Sequence, residues 1–182
     1  MRFMIVSSSL STPSNSLVLA REAEKKLKSL GHDSDFVDLS DNALPLCGAP
    51  GSFNHELAGD LAGRLGRADG VLLAGPVYNY DVNAGLKNFV ELTGKGWEGK
   101  VVGFLLSAGG HASYMSALGL ANSLMLDFRC LILPRFVYAL SKEHFKDGLV
   151  SDPDIRRRVD ELALELVRVA GALKRADETP AA

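Results

Sequence analysis

Short runs of consecutive apolar residues recur along the chain, and the stretches between them carry apolar residues every three or four positions. A short continuous run is typical of a strand buried on both faces of a parallel sheet, whereas the longer spacing predicts amphipathic helices. Five strands are predicted, at 3–6, 35–39, 70–75, 100–106 and 130–133. Helices are predicted after each strand in turn, at 14–30, 55–67, 84–93, 113–128 and from 151 or 152 onwards.

This alternation of strand and helix predicts an α/β fold with three layers, in which helices cover both faces of a doubly wound sheet. Two architectures fit the pattern. One is a flavodoxin-like fold with a five-stranded parallel sheet of order 2-1-3-4-5, and the other is a truncated dinucleotide-binding fold. Both bind ligands outside the carboxyl ends of the strands. The loops after strands 1, 3 and 4 are therefore the candidate ligand site.

The length of 182 residues and the hydrophobic fraction of 47% suit one domain. We expect that domain to cover 1–174 and a disordered tail to cover 175–182. The net charge of -2 lacks the basic character of a nucleic-acid partner. No apolar run approaches the length of a membrane span, which takes roughly 20 residues. The expectation is a cytoplasmic protein with no membrane and no nucleic-acid partner.

The two cysteines, Cys47 and Cys130, lie far apart and without the spacing of metal ligands. We expect both to be reduced thiols, as is usual in the cytosol, and no metal site is predicted.

The loop after the first strand is rich in hydroxyl groups. Residues 7–16 include six serines together with Thr12 and Asn15, and a helix begins there. The first turn of a helix offers unpaired N–H groups and a partial positive charge, which bind phosphate. The loop has neither GxGxxG nor GxxxxGK[ST], so both common nucleotide fingerprints are absent. We interpret this loop as a phosphate site made of hydroxyl and N–H groups.

The loop after the third strand combines a proline with two tyrosines. Pro76 is expected to end the strand and stiffen the turn. Tyr78 and Tyr80 offer flat apolar faces that suit an aromatic ring system. Asn79 between them can donate and accept hydrogen bonds at the edge of such a ring.

The loop after the fourth strand contains Gly109 and Gly110, which allow a close approach of the backbone and its N–H groups to a ligand. Such donors would stabilise negative charge on a reduced ring. His111 follows, but a histidine in a loop is more often a surface residue than an acid or base, and no catalytic side chain is predicted.

Taken together, these loops resemble the NADPH-dependent FMN reductase family. Residues 8–16 look like its phosphate loop, whose pattern is roughly Gly-Ser-x-Arg-x-x-Ser-x-Asn. The stretch 76–80 followed by 85–88 is similar to its second signature, and 107–110 resembles its third FMN loop. Ser8 stands where the family usually has Gly, Ser11 where it has Arg, and Val77 where Glu is frequent.

The resemblance implies an oxidoreductase with bound FMN and with NADPH or NADH as co-substrate. The electron acceptor would be a small molecule, namely a quinone, an azo compound, a metal ion or free flavin. A homodimer or homotetramer with FMN near the subunit interface is also implied. The residues implied to hold the phosphate are Ser9, Ser11, Ser14, Asn15 and Ser16. The residues implied to flank the ring are Pro76, Val77, Tyr78, Asn79 and Tyr80. The residues implied to contact the ring edge are Ser107, Ala108, Gly109 and Gly110.

Two other functions fit the same fold. A flavodoxin-type carrier would exchange electrons with protein partners, although a net charge of -2 is mild for an acidic docking surface. A binding module without cofactor would use the fold for another purpose, since fold alone does not fix function.

Overall fold

The strands of the computed structural model, which describes residues 1–178, follow the predicted order with several short additions. They are β1 (Arg2–Ser7), β2 (Asp33–Asp38), β3 (Gly70–Tyr78), β4 (Asp81–Val82), β5 (Val101–Ala108), β6 (Leu131–Ile132), β7 (Val137–Leu140), β8 (Phe145–Lys146) and β9 (Leu149–Val150). The helices are α1 (Asn15–Ser29), α2 (Glu56–Gly66), α3 (Ala84–Thr93), α4 (Leu118–Phe128) and α5 (Pro153–Glu178). Short 3₁₀ segments cover Ser52–Asn54, Gly94–Trp97 and His111–Ala117.

The main sheet is parallel and has the order β2-β1-β3-β5, with β6 and β7 sharing the position beyond β5. The predicted flavodoxin-like fold class and strand order are thereby confirmed, with the fifth strand in two pieces. The break has a local cause. Pro134 has no N–H to donate, and Arg135 adopts a positive φ of 58°. The predicted strand at 130–133 covers only the first piece, and the second piece, β7, was not predicted.

The core lies in two layers, one on each face of the sheet. One face packs against α2, α3 and α4, through side chains such as Leu61, Phe89 and Leu124. The other packs against α1 and α5, through side chains such as Leu19 and Leu162. Because alternate residues of each strand point to opposite faces, the continuous apolar runs supply both layers at once.

Pro76 was predicted to end the third strand, but the strand continues beyond it. β3 runs on to Tyr78, with Pro76 aligned to Ser107 of β5. The pairing of β1 with β3 ends at Ala74, whose carbonyl still accepts from the N–H of Ser8 at 2.9 Å. Since β1 has no further pairing at Pro76, the missing N–H of proline leaves no gap on that side.

Both cysteines are free thiols. Cys130 is buried, and its Sγ donates to the carbonyl of Trp97 at 3.1 Å. Burial raises the pKa of the Cys130 thiol to about 11, so the thiol stays protonated at neutral pH.

The last helix reaches Glu178, so 175–178 continue α5, where the sequence reading expected a disordered tail. The rest of that tail, 179–182, lies outside the described residues. Within 1–178, no helix combines the length and apolar character that crossing a membrane would take.

Candidate functional site

A cavity of about 360 Å³ opens at the carboxyl ends of the strands, between the start of α1 and the loops that follow β3, β5 and β7. The residues that line it are Ser9, Ser11, Pro13, Ser14, Asn15, Ser16, Pro76, Val77, Tyr78, Ser107, Gly109 and Ser141. Ten of them are among the fourteen site residues expected from the sequence. Segments that are distant along the chain therefore meet where the fold class places a ligand.

The first turn of α1 forms one wall of the cavity. Ser14 caps the helix, because its Oγ accepts from the N–H of Leu17 at 3.1 Å. The hydroxyl of Ser16 is buried and lies 3.1 Å from that of Ser14. The N–H groups of Asn15 and Ser16 have no acceptor within the part of the chain that the structure describes. Two hydroxyls and two free N–H donors thus occupy the positive end of a helix dipole.

Ser141, which follows β7, lines the cavity although the sequence reading missed it. Its Oγ lies 3.1 Å from the Oγ of Ser107, and its carbonyl accepts from Asn15 Nδ2 at 3.4 Å. The apolar run at Val137–Leu140 that ends in a serine has the same signature as the first strand and its loop. That signature could have identified Ser141.

Ser8 takes no part in lining the cavity and instead joins two loops. Its Oγ donates to Asn83 Oδ1 at 2.6 Å, and Asn83 Nδ2 donates back to the carbonyl of Ser8 at 2.8 Å. Both side chains are buried. Ser8 therefore fixes the loop after β1 to the start of α3.

Gly75→Ala is expected to destabilise the fold by about 1–3 kcal/mol, the usual cost of overpacking. A Cβ at Gly75 would lie 2.7 Å from Ser8 Oγ and 2.9 Å from Asn83 Oδ1, so it would force the two side chains apart. The midpoint of urea unfolding measures the effect.

Gly109→Ala is the matched control, because a Cβ there meets nothing within 4 Å. We expect it to unfold within about 0.5 kcal/mol of the wild type. Equal urea midpoints for the two variants would contradict the conclusion that the hydrogen bonds between Ser8 and Asn83 stabilise the fold.

Asn79 and Tyr80 lie outside the cavity, at the tip of a tight hairpin between β3 and β4. Tyr78 pairs with Asp81, and the two residues between them have positive φ values of 52° and 63°. This geometry is a two-residue turn of type I′. Tyr80 is 70% exposed there. Of the two predicted ring-facing tyrosines, only Tyr78 reaches the cavity wall.

The loop after β5 also divides into lining and supporting residues. Gly109 lines the cavity, whereas the side chain of Ala108 is buried in the core. The carbonyl of Gly110 points away to accept from the hydroxyl of Tyr138 at 2.5 Å. His111 is exposed, and its Nε2 lies 3.2 Å from Glu143 Oε1.

The donor set of the cavity fits a terminal phosphate. None of its lining residues carries a formal charge, and its polar groups are hydroxyls and backbone N–H donors. Such groups bind a phosphate at the end of a helix without a cation. The Oγ of Ser7, directly before the loop, is buried and has no partner among the described residues.

Among the same residues, no group of three His, Cys, Asp or Glu side chains could hold a metal ion.

Known proteins resemble the chain both in sequence and in structure. A protein from Geobacillus thermodenitrificans (strain NG80-2) described as an NAD(P)H-dependent FAD/FMN reductase is 30% identical over 146 residues, covering 78% of each chain. An NADH:FMN oxidoreductase in its apo form matches with a TM-score of 0.73 and 17% identity, covering 91% of this chain and 89% of that one. The flavoenzyme NAD(P)H:(acceptor) oxidoreductase FerB from Paracoccus denitrificans matches with a TM-score of 0.76 and 18% identity, covering 94% and 97%. At these identities the two structures establish the fold.

The family model described as NADPH-dependent FMN reductase matches residues 1–145. Together with the curated relative, it confirms the predicted enzyme class, an oxidoreductase, and the predicted FMN and NAD(P)H. The chain belongs to the NADPH-dependent FMN reductase family.

Proposed function

We propose that this protein oxidises a reduced nicotinamide nucleotide and passes the electrons through FMN in the cavity to a small acceptor. The acceptor classes are quinones, azo compounds, metal ions and free flavin. FMN supplies the ring that takes up and releases hydride. The observation that carries the proposal is the uncharged cradle of hydroxyls and free N–H groups at the start of α1, beside an open slot. The domain that performs this function is proposed to be 1–174.

The phosphate group of FMN is assigned to the α1 wall. The free N–H groups of Asn15 and Ser16 act as donors, and the hydroxyls of Ser9, Ser11 and Ser14 complete the cradle. Hydrogen bonds to a charged group contribute about 1.5–3 kcal/mol each in favourable geometry, so a few of them can hold a phosphate. Asn15 has a second role, because its bond to Ser141 fixes the first turn of α1 against β7.

The flavin ring is assigned to the slot between the β3 and β5 loops. Pro76, Val77 and Tyr78 form one side of the slot, and Ser107 and Gly109 form the other. Neither 109 nor 110 has a positive φ or a crowded Cβ position, so the fold itself does not require glycine at either place. A close ligand is a sufficient reason for the absence of side chains there.

We expect the slot to admit a broad range of acceptors, because its lining is uncharged and one side is open to solvent. Its lining has no charged side chain that would select the charge of an acceptor. Tyr78 at its rim is 54% exposed, so the slot is open to solvent on that side. The two free cysteines suit the expected cytoplasmic location, where reduced nicotinamide nucleotides are available.

The test is anaerobic addition of NADPH or NADH to the protein loaded with FMN, followed by each acceptor in turn. We expect rapid bleaching of the flavin absorbance and its return with the acceptor. Absence of direct bleaching by either nucleotide would favour the electron carrier and contradict the proposal. Unchanged flavin fluorescence on titration with FMN would favour the binding module without cofactor and contradict it as well.

We also propose that two copies of the chain associate through α4 and the hairpin beside it. Leu118, Met125 and Leu126 recur at positions that share one face of α4, and they are 47%, 44% and 77% exposed. Asp81 of the hairpin lies next to the start of the helix, 3.9 Å from a Cβ built at Gly119. Asn122 is also exposed and lies among these three side chains on the helix. Large apolar side chains exposed together on one helix are typical of a contact between subunits.

Leu126→Glu is expected to convert the assembly to monomers, because it places a charge within the proposed contact at its most exposed apolar side chain. Light scattering after size-exclusion chromatography measures the mass. Leu149→Glu is the matched control, since Leu149 is 58% exposed on β9, away from this face. A monomeric wild type, or an unchanged mass for Leu126→Glu, would contradict the proposed interface.

A further inference from the structure

Tyr138 anchors Gly110, in the loop that follows β5, through a hydrogen bond. Its hydroxyl donates to the carbonyl of Gly110 at 2.5 Å, and its side chain is only 8% exposed. Tyr138 belongs to β7, which pairs with β5, and it lies opposite Leu106 in the register. The bond therefore links the loop back to the rigid sheet from which it emerges.

The aromatic ring of Tyr138 is itself held in place by its neighbours. Tyr114 meets it edge to face, with ring centroids 5.5 Å apart, and stacks on Phe136 at 5.1 Å. Phe136 in turn meets Phe104 of β5 edge to face at 6.4 Å. Contacts of this kind fix ring orientation, so the Tyr138 hydroxyl occupies a defined position.

The hydrogen bond determines how the peptide between Gly110 and His111 is oriented. A trans peptide is planar, and its carbonyl and N–H point in opposite directions. With the carbonyl of Gly110 turned towards Tyr138, the N–H of His111 points away from Tyr138. That N–H has no acceptor among the described residues. A glycine at 110 would otherwise let the peptide rotate with little hindrance.

We propose that Tyr138 is a positioning residue, which holds the 110–111 peptide so that its N–H donates to the edge of the FMN ring. The inference rests on the proposed assignment of the ring to the slot beside Gly109. A fixed N–H donor stabilises an anion more than a neutral acceptor. Because the reduced ring carries more negative charge, Tyr138 favours the reduced form and raises the potential of the bound flavin.

Tyr138→Phe tests this, since it deletes the hydroxyl and keeps the ring contacts. We expect reduced FMN to bind about tenfold more weakly and oxidised FMN to bind within about twofold of the wild type. For a two-electron couple, a tenfold difference lowers the midpoint potential by about 30 mV. The measurements are fluorescence titration with oxidised FMN and a spectroscopic redox titration of the bound flavin.

Tyr114→Phe is the matched control, because it removes a hydroxyl from the same aromatic cluster at a residue that is 42% exposed. It is expected to leave both affinities and the potential unchanged. A Tyr138→Phe variant with the wild-type potential overturns the inference. Equal weakening of both FMN forms also overturns it, since a merely structural role would produce that result. A wild type that binds no FMN would instead refute the proposed function.

Discussion

Ser11→Arg is expected to tighten FMN binding by about tenfold, and Ser11→Asp to weaken it by about the same factor. The side chain of Ser11 is exposed at the rim of the cavity, and no charged residue lines the cavity. In the wild type, only hydroxyl and N–H groups bind the phosphate. A positive charge at position 11 would attract the phosphate, and a negative charge would repel it. A hydrogen bond to a charged group contributes about 1.5–3 kcal/mol. Because residue 11 is exposed to solvent, we expect a value near the lower end, and about 1.4 kcal/mol corresponds to a tenfold change in Kd.

The two Ser11 variants should also differ in their response to salt. The interaction of an exposed charge with a phosphate is screened at 0.1 M ionic strength, where the Debye length is about 10 Å. Added salt should therefore weaken FMN binding to Ser11→Arg and strengthen it to Ser11→Asp. Fluorescence titrations with FMN at low and high salt measure both effects.

Riboflavin and Leu10→Arg are the controls for the Ser11 variants. Riboflavin lacks the phosphate, so its affinity should be the same for all Ser11 variants. Leu10→Arg places the same charge one residue away, on a side chain that is 69% exposed and does not line the cavity. Equal FMN affinities for Ser11→Arg and Ser11→Asp would show that the phosphate binds elsewhere.

The strands and the serine-rich loop after β1 could be predicted because each depends on local sequence. A continuous apolar run such as 3–6 must be buried on both faces, and a parallel sheet is the structure that buries it. The serines that follow at 7–16 then fall at the carboxyl end of that strand, whatever the rest of the chain does. The alternation with helices predicts a parallel sheet with a ligand site at the carboxyl ends of its strands, although two strand orders fit that alternation.

The roles of Ser8 and Ser141 could not be predicted in the same way, because they depend on partners far away in sequence. Ser8 is one of six serines, and its buried bonds to Ala74 and to Asn83, which lies 75 residues later, distinguish it from Ser9. Ser141 enters the cavity because β7 extends the fifth strand past the break at Pro134. The apolar run at 137–140 indicates a strand that ends in a serine, but it does not show that this strand pairs with β5 beyond the break.

The hairpin between β3 and β4 shows a second reason why site residues are hard to predict from the sequence. The sequence placed Asn79 and Tyr80 against the ligand because they stand in the loop after β3. The two positive φ values turn the chain back on itself within two residues, and neither residue lines the cavity. Asparagine adopts this conformation readily, whereas tyrosine is a genuine exception. A turn with tyrosine at its second position therefore lacks the glycine that usually identifies it.

Asp35→Asn is expected to reduce the free energy of unfolding by about 2–3 kcal/mol at pH 7. Arg64 donates to both oxygens of Asp35, from Nη2 to Oδ1 at 2.5 Å and from Nε to Oδ2 at 3.1 Å, and so ties α2 to β2. The side chain of Asp35 is 8% exposed. Losing one partner of a fully buried pair costs about 3–5 kcal/mol, and the 24% exposure of Arg64 lowers that figure.

The effect should depend on pH in a defined direction. The hydrogen bonds from Arg64 hold the pKa of the Asp35 carboxyl below its usual value, although burial opposes the shift. A carboxyl with a lowered pKa in the folded state stabilises the protein above the unfolded value, which is about 3.9. That stabilisation is lost as the pH falls through the folded value. The difference between wild type and Asp35→Asn should therefore be constant near neutral pH and shrink below about pH 4.

Urea unfolding of both proteins from pH 7 down to pH 3 measures this difference. Glu24 and Asp69, whose carboxyls also have lowered pKa values, titrate equally in both proteins and cancel in the comparison. Asp33→Asn is the matched control, because it makes the same change on the same strand at an exposed side chain. We expect it to match the wild type at every pH. If Asp35→Asn loses as much stability at pH 3 as at pH 7, the loss comes from altered packing, because the ionised carboxylate would then contribute nothing.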